Sequence, residues 1–143
     1  MTDKARAQLA PTGVLRAGIN LSNFLLVTGR SEKSEPMGVA PDMAREIAAA
    51  LGVPVTYVTF KSPGELADQA GKNVWDIGLI GAEPQRAEKI AFTPAYVEIE
   101  ATYLVPAGSP LKSTDGPDHT GTRGQPPQLS LLPMMSLHLV PLT

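Results

Sequence analysis

The chain has 143 residues, of which 43% are hydrophobic and 18% are charged, and its formal net charge is -2. This length fits one domain rather than two full lobes with a cleft between them, and the charge argues against a nucleic-acid or anionic-membrane partner. There is no cysteine, so thiol chemistry is excluded. There are two histidines, His119 and His138, which are few for a zinc site or for an enzyme with a histidine general base. We expect no cofactor, no metal site and no enzymatic activity.

Residues 1–12 are interpreted as an N-terminal extension. They lack the apolar run and the small-residue cleavage site of a secretory signal. No segment of the sequence reaches the roughly 18 uninterrupted apolar residues that a membrane-spanning helix requires. The chain is therefore expected to be soluble and to carry no targeting signal.

The first strand is predicted over residues 15–19, and a loop rich in serine, glycine and charge follows over residues 21–38. A helix is predicted from about Asp42, whose carboxylate suits the positive end of the helix dipole, to Gly52, which suits a left-handed C-cap. Three apolar residues are spaced to line one face of this helix: Met43, Ile47 and Leu51.

The second strand is predicted over residues 53–60, which are rich in β-branched and aromatic side chains. After it, Ser62 followed by Pro63 and Glu65 is typical of an N-cap and capping box, and Gly71 marks the end of the helix that they start. Three further elements are predicted: a central strand over residues 75–80, a short helix over residues 84–90 and a fourth strand over residues 101–105.

Alternating strands and helices with short links are typical of a mostly parallel sheet with helices on both faces. The sequence therefore predicts an α/β fold for residues 13–112. Residues 113–143 differ, because they show neither a two-residue nor a 3.6-residue apolar period and contain five prolines. We expect this tail to be irregular or disordered. Our hypothesis is that a truncation or a frameshift placed it outside the pattern that precedes it.

Four stretches carry a family resemblance: GVAPDMA at residues 38–44, LGV at 51–53, Asp76 in a strand, and PQRAEKIAFTPAY at 84–96. Together they resemble the periplasmic amino-acid-binding proteins of ABC transporters, solute-binding protein family 3. The resemblance covers about residues 15–112, which correspond to an incomplete first lobe. It implies a periplasmic protein that closes around an amino acid or similar small polar solute and delivers it to a membrane permease. Because the chain shows no signal peptide, cytoplasmic retention is an alternative.

The resemblance implies that Arg86 holds the charged group of the ligand, at the start of a helix that follows a central strand. The alternative is a surface ion pair with Glu83 or Glu88 at helical spacing. Gly81 and Ala82 are expected to present backbone N–H groups to the same group of the ligand. The alternative is that Gly81 and Ala82 only form a tight turn.

The resemblance also implies a ligand-facing role for Asn20, Asn23 and Phe24, which follow the first strand. A capped loop with a buried phenylalanine is the alternative. The sequence departs from the family in the stretch from Gly81 to Glu83, which is short and lacks the usual hydroxyl residues. This departure weakens the case for an ordinary α-amino acid, and Glu83 favours a cationic or amine group on the ligand.

Other polar and aromatic residues are assigned to structure rather than binding. Asp42 is expected to cap its helix, Asp76 to make strand-end hydrogen bonds, Trp75 to pack and Glu98 to lie on a solvated face.

Two functions remain as alternatives to transport: a cyclohexadienyl-dehydratase-like lyase on the same scaffold, and a detached ligand-sensing domain. Because one lobe leaves its site exposed, we expect millimolar affinity at best, and dimerisation through the exposed inner face.

Overall fold

The structure, a computed structural model, describes residues 3–98 and the backbone of residues 134–139. The helices are α1 (Asp3–Leu9), α2 (Val39–Leu51), α3 (Pro63–Asp68) and α4 (Pro84–Ala87). The strands are β1 (Leu15–Asn20), β2 (Gly29–Arg30), β3 (Pro36–Met37), β4 (Val55–Phe60), β5 (Ile77–Ala82), β6 (Ala91–Glu98) and β7 (Met134–Leu139). In the part of the chain just given, no helix is long and apolar enough to cross a membrane.

Five of the strands form one sheet in the order β4-β1-β5-β7-β6, and β2 pairs with β3 in a small antiparallel hairpin. The pairings of β1 with β4 and with β5 are parallel, whereas β7 is antiparallel to both β5 and β6. Because β7 is antiparallel to both neighbours, β6 runs in the same direction as β5. The prediction of an α/β fold with a mostly parallel sheet is therefore confirmed.

The sheet carries a hydrophobic cluster on each face. Ile77 and Leu79 of β5 belong to the larger cluster, together with Ala44 and Ala48 of α2. The next residue along, Ile80, belongs to the smaller cluster with Leu66 of α3. Since successive side chains of a strand point to opposite faces, the two clusters lie on opposite sides of the sheet. Helices thus cover both faces, as the sequence predicts.

Helix α2 begins at Val39, earlier than the predicted start near Asp42, and ends as predicted at Gly52 with φ 67°. The residue before it, Gly38, has φ 129°, and a Cβ there would lie 2.5 Å from the carbonyl oxygen of Leu26. Only glycine fits this approach. The buried face of α2 is formed mainly by small residues, namely Ala40, Pro41, Ala44, Ala48 and Leu51. The predicted face is therefore partly wrong, because Met43 and Ile47 are only partly buried and flank it.

The predicted capping of α3 is confirmed. The Ser62 hydroxyl accepts a hydrogen bond from the Glu65 N–H at 3.2 Å, and the Glu65 carboxylate accepts one from the Lys61 N–H at 2.9 Å. Leu66 is fully buried, and its carbonyl accepts a hydrogen bond from the Trp75 indole at 3.1 Å. The predicted packing role of Trp75 is thus also confirmed.

Several predicted boundaries are wrong. Strand β5 begins at Ile77 rather than at residue 75, and α4 ends at Ala87 rather than at residue 90. The loop over residues 21–38 contains the β2–β3 hairpin, and the N-terminal extension contains α1, whose Ala5 and Leu9 pack against the larger cluster. Strand β6 was not predicted, and the predicted strand over residues 101–105 lies outside the described residues.

Strand β7 corrects the prediction of a wholly irregular tail. Residues 134–139 form an inner strand of the sheet, paired in register with β5 from Ile77–Leu139 to Ala82–Met134. The five prolines of residues 113–143 counted against regular structure, but the two nearest to the strand, Pro133 and Pro141, flank residues 134–139. Both prolines lie outside the strand, so neither removes an N–H from its hydrogen-bond ladders.

An ion pair joins the amino ends of β1 and β5. The Arg16 guanidinium donates to both carboxylate oxygens of Asp76, at 3.0 and 2.6 Å, and also to the carbonyl and side-chain oxygens of Asn73. The Asp76 carboxylate accepts a further hydrogen bond from the Arg16 N–H. Hydrogen bonding to Asp76 raises the pKa of the Arg16 guanidinium above its ordinary value. The structural assignment of Asp76 fits this geometry.

We expect Asp76→Asn to destabilise the protein by about 2–3 kcal/mol, because it weakens a nearly buried ion pair and leaves a cation without its partner. The Asp76 side chain is 4% exposed and the Arg16 side chain 21%. The matched control is Asp42→Asn, which removes an ion pair with Arg45 whose side chains are both 57% exposed. Urea unfolding measures both variants, and equal losses of stability would contradict the role given to Asp76.

Two tyrosines differ in the bonding of their hydroxyl groups. The Tyr57 hydroxyl donates to the Pro41 carbonyl at 3.1 Å, which ties β4 to α2. The Tyr96 hydroxyl of β6 is buried without a hydrogen-bond partner among the described residues. Burial raises the pKa of Tyr96 to about 12. The ionised form of Tyr96 is therefore disfavoured in the folded protein.

We expect Tyr96→Phe to keep or raise stability at neutral pH, whereas Tyr57→Phe costs about 0.5–1 kcal/mol because it loses a hydrogen bond. The raised pKa also determines the direction in which stability changes at alkaline pH. The stability from Tyr96 is complete below its unfolded pKa of about 10 and is lost as pH rises toward about 12. Tyr96→Phe should therefore flatten the alkaline decline in unfolding free energy. An unchanged decline would contradict this.

Candidate functional site

The chain leaves the carboxyl ends of β1 and β5 toward opposite faces of the sheet. After β1 it continues to α2, which packs in the larger cluster, and after β5 it continues through α4 to Ile90 of the smaller cluster. Neighbouring parallel strands whose following segments diverge in this way leave a crevice between them, which is where open α/β sheets bind ligands. The candidate site is this crevice.

Asn20 ends β1 at the crevice and is 7% exposed. Its side-chain carbonyl accepts hydrogen bonds from the N–H and hydroxyl of Ser22, at 3.1 and 2.8 Å. These bonds fix the carboxamide, and no described hydrogen bond uses its two N–H donors. Sequence analysis missed Ser22, although an asparagine two residues before a serine is a signal for such a turn.

The loop after β1 presents Phe24 to solvent. The side-chain oxygen of Asn23 accepts from the Leu25 N–H at 3.2 Å, and its carbonyl accepts from the Leu26 and Val27 N–H groups. Leu26 and Val27 are buried, whereas Phe24 is 77% exposed. The alternative of a buried phenylalanine is therefore wrong, because the next apolar residues anchor the loop instead.

Arg86 folds back onto the carboxyl end of β5. Its Nη1 donates to the carbonyl of Gly81 at 2.9 Å and lies 3.1 Å from a carboxylate oxygen of Glu83. The Arg86 side chain is 13% exposed and that of Glu83 is 32% exposed. The ion pair expected from helical spacing is thus present, but it lies at the end of the strand. Gly81 and Ala82 are the last two residues of β5 rather than a separate turn.

The fold brings two groups of predicted residues to one edge of the sheet. Asn20 lies one residue beyond the Ile19–Leu79 pair, so it ends β1 close to where Gly81 and Ala82 end β5. Glu83 and Arg86 follow directly. Asn23 and Phe24 lie further along the loop, where oxygens of Asn23 accept hydrogen bonds from backbone N–H groups of residues 25–27. Residues 3–98 contain no cluster of metal-ligating side chains.

Glu98 lies at the same edge. It pairs with Met134 of β7, which in turn pairs with Ala82, so Glu98 ends β6 two strand positions from Ala82. That spacing corresponds to about 9–10 Å across the sheet. Glu98 is exposed, as predicted, but its place beside the site could not be foreseen because the β5–β7–β6 order depends on a strand distant in sequence.

Residues 17–130 match the family described as bacterial extracellular solute-binding proteins, family 3. The chain belongs to this family. The match runs past residue 112, where the sequence resemblance was expected to stop, so the segment that follows is not wholly outside the family. A search of curated proteins finds no match.

Solved structures with a similar fold include domain 1 from TmArgBP, a mutant in its arginine-bound form, with a TM-score of 0.59 and 18% identity. That comparison covers 94% of this chain and 84% of the other. An ancestral cyclohexadienyl dehydratase matches with a TM-score of 0.57 and 23% identity, over 68% of this chain and 41% of its own. Truncated, arginine-bound ArgBP from T. maritima matches with a TM-score of 0.52 and 24% identity, over 68% of this chain and 44% of its own. At these identities the likeness establishes the fold alone. The chain spans less than half the length of the last two proteins.

Proposed function

We propose that this chain binds an amino acid or similar small polar solute in the crevice between β1 and β5, as part of an ABC transporter's extracytoplasmic substrate-binding component. Its family membership supports solute binding as the general activity. The observation that carries the proposal is the position of Arg86, whose guanidinium lies at the carboxyl end of β5 next to the end of β1.

The chemistry of the crevice favours a carboxylate on the solute. Arg86 uses Nη1 toward Gly81 and Glu83, and the described hydrogen bonds involve none of its Nε and Nη2 donors. Together with the Asn20 carboxamide, these donors supply charged and neutral hydrogen bonds to an anionic group. Glu83 competes for the same guanidinium. Phe24 offers an exposed aromatic face beyond them for a cationic or apolar part of the ligand.

A single lobe holds its ligand from one side and leaves the other side to water. Charged contacts in a water-filled site are weak, so we expect a Kd of about 1 mM or weaker for the chain alone. The related domain 1 from TmArgBP is described as arginine-bound, which supports ligand binding by one isolated lobe of this fold. Arginine is therefore the first ligand to test.

The test is a thermal-shift screen of the twenty amino acids, polyamines and small organic acids, followed by calorimetry of any hit. A ligand present at ten times its Kd stabilises the folded state by about 1.4 kcal/mol, which is a measurable shift in Tm. We expect Arg86→Gln to abolish the shift. Arg45→Gln is the matched control, because Arg45 lies on α2 in an exposed ion pair and should bind as the unchanged protein does. Loss of binding in both variants, or in neither, would contradict the site.

The Glu83→Gln variant tests whether the site binds a negative or a positive group of the ligand. If a carboxylate binds Arg86, removing the competing Glu83 charge should tighten binding several-fold, or by about 1 kcal/mol. If Glu83 itself holds a cationic group of the ligand, the same substitution should weaken binding. Calorimetry with arginine and with a neutral amino acid separates the two cases, since only arginine carries the extra cation.

Two alternatives share the scaffold. A cyclohexadienyl-dehydratase-like lyase needs a carboxyl group able to transfer a proton at the ligand, but Glu83 is held in an ion pair with Arg86. A detached ligand-sensing domain would use the same crevice and give the same binding results. Turnover of an arogenate-like or prephenate-like acid would favour the lyase, and permease genes beside the coding gene would favour transport.

A further inference from the structure

Two polar side chains are buried in the part of the chain that the structure describes, and they differ in how completely they are hydrogen-bonded. The Asp76 carboxylate is satisfied by Arg16 through three hydrogen bonds. Asn20 is 7% exposed and uses only one end of its carboxamide. Buried polar groups are normally paired, because a group that loses water without gaining a partner costs free energy. The other end of the Asn20 carboxamide is therefore not explained by the fold.

Ser22 determines which end of the Asn20 carboxamide is left unpaired. The Ser22 N–H lies 3.1 Å from Asn20 Oδ1, and the Ser22 hydroxyl lies 2.8 Å from the same atom. A backbone N–H can only donate, so the atom that faces it must be the carbonyl oxygen rather than the N–H₂ group. The hydroxyl donates to the same oxygen, whose two lone pairs are then both used. The two N–H donors of the carboxamide remain.

Asn20 lies on the face of the sheet that also carries α4. Successive side chains of β1 alternate between faces, and a Cβ at Gly18 would lie 3.3 Å from the Trp75 side chain, in the smaller cluster. Asn20, two residues further on, shares that face, and the chain passes from α4 into Ile90 of the same cluster. The Asn20 nitrogen is not one of the buried side-chain atoms without a partner, so it keeps contact with solvent. Its donors are therefore accessible at the end of β1.

The crevice thus has hydrogen-bond donors on both sides. Nε and Nη2 of Arg86 take part in none of the described hydrogen bonds, and Asn20 adds its N–H₂ group. The Glu83 carboxylate already lies 3.1 Å from Arg86 Nη1. An ammonium or guanidinium group beside Asn20 would place donors against donors, whereas a carboxylate or carboxamide oxygen accepts from the N–H₂ group. A solute with an oxygen acceptor at each end fits this arrangement.

We propose that Ser22 is a positioning residue, which holds the Asn20 N–H₂ group toward the crevice and so selects solutes that carry a second carboxylate or carboxamide. One carboxylate of the solute contacts Arg86, and the second acceptor contacts Asn20. Acidic amino acids belong to this class, whereas a solute with a cation beside Asn20 is disfavoured. This inference rests on the proposed function, because it concerns the solute that the same crevice binds.

Calorimetry of the full-length chain with alanine, glutamate and arginine tests the inference. Alanine reports the carboxylate contact alone, and the other two differ in the charge of their side chains. We expect glutamate to bind about five- to tenfold more tightly than alanine, as one additional hydrogen bond predicts, and arginine to bind no more tightly than alanine. The Asn20→Asp variant keeps the oxygen that Ser22 contacts and replaces the N–H₂ group with an acceptor. It should reverse the order of glutamate and arginine.

The Ser22→Ala variant isolates the positioning role. Ser22 is exposed, so the substitution needs no repacking, and it removes one of the two hydrogen bonds to Asn20 Oδ1. We expect the preference for glutamate over arginine to fall several-fold while alanine binding is kept. Ser22→Thr should restore the preference, because threonine retains the hydroxyl. The matched control is Ser31→Ala, in which a turn outside the crevice loses a hydroxyl that accepts from the Glu35 N–H, and it should keep the preference.

The possible results separate this inference from the proposed function. Tighter binding of arginine than of glutamate to the unchanged protein would overturn the inference and leave solute binding by the crevice intact. An order of affinities that Asn20→Asp does not change would do the same. An equal loss of affinity for all three solutes in Ser22→Ala would show that Ser22 has a structural role alone. No binding of any solute, even at the highest soluble concentration, would overturn both proposals.

Discussion

The bidentate contact between Arg16 and Asp76 fixes how β5 lies against β1. Parallel strands have no hairpin turn to set their register, so some other contact must choose it. Here the guanidinium spans the amino ends of both strands, and its donors to Asn73 also hold the turn that leads into β5. From that point Ala17 faces Ile77 and Ile19 faces Leu79, which brings the carboxyl ends of both strands to one edge. The crevice is a consequence of this register.

Two arginines lie at opposite ends of the β1–β5 pair and differ in how firmly their charge is committed to the fold. Arg16 donates three hydrogen bonds, one of them from its backbone N–H, to the Asp76 carboxylate, whose side chain is 4% exposed. The charge of Arg16 is therefore committed to the fold. Arg86 meets a strand-end carbonyl and the more exposed carboxylate of Glu83. A partner that is partly solvated is displaced at lower cost than a buried one. In the proposed site, a ligand anion would therefore compete for Arg86 without disturbing the sheet.

Local signals in the sequence were sufficient where the structure depends on neighbouring residues. Ser62, Pro63 and Glu65 start α3 through contacts within four residues, and Gly52 ends α2 through its own backbone angle. The start of β5 was misplaced because Asp76 looks like part of an apolar strand, whereas it is occupied by Arg16, which is 60 residues away. The family resemblance makes Arg86 a candidate for the ligand site, but its contact with Gly81 depends on the path of α4 and is not readable from spacing.

The end of β5 that carries the candidate site is also the end that β7 completes. Gly81 and Ala82 pair with Met135 and Met134, and Met134 also pairs with Glu98. The backbone that positions Arg86 is therefore held on one side by β1 and on the other by β7, and both strands are distant from β5 in sequence, since Ala17 pairs with Ile77 and Ala82 with Met134. Pairings with large sequence separation form late because loop closure costs entropy before any contact is gained. The carboxyl end of β5 consequently reaches its final geometry only when both β1 and β7 are in place.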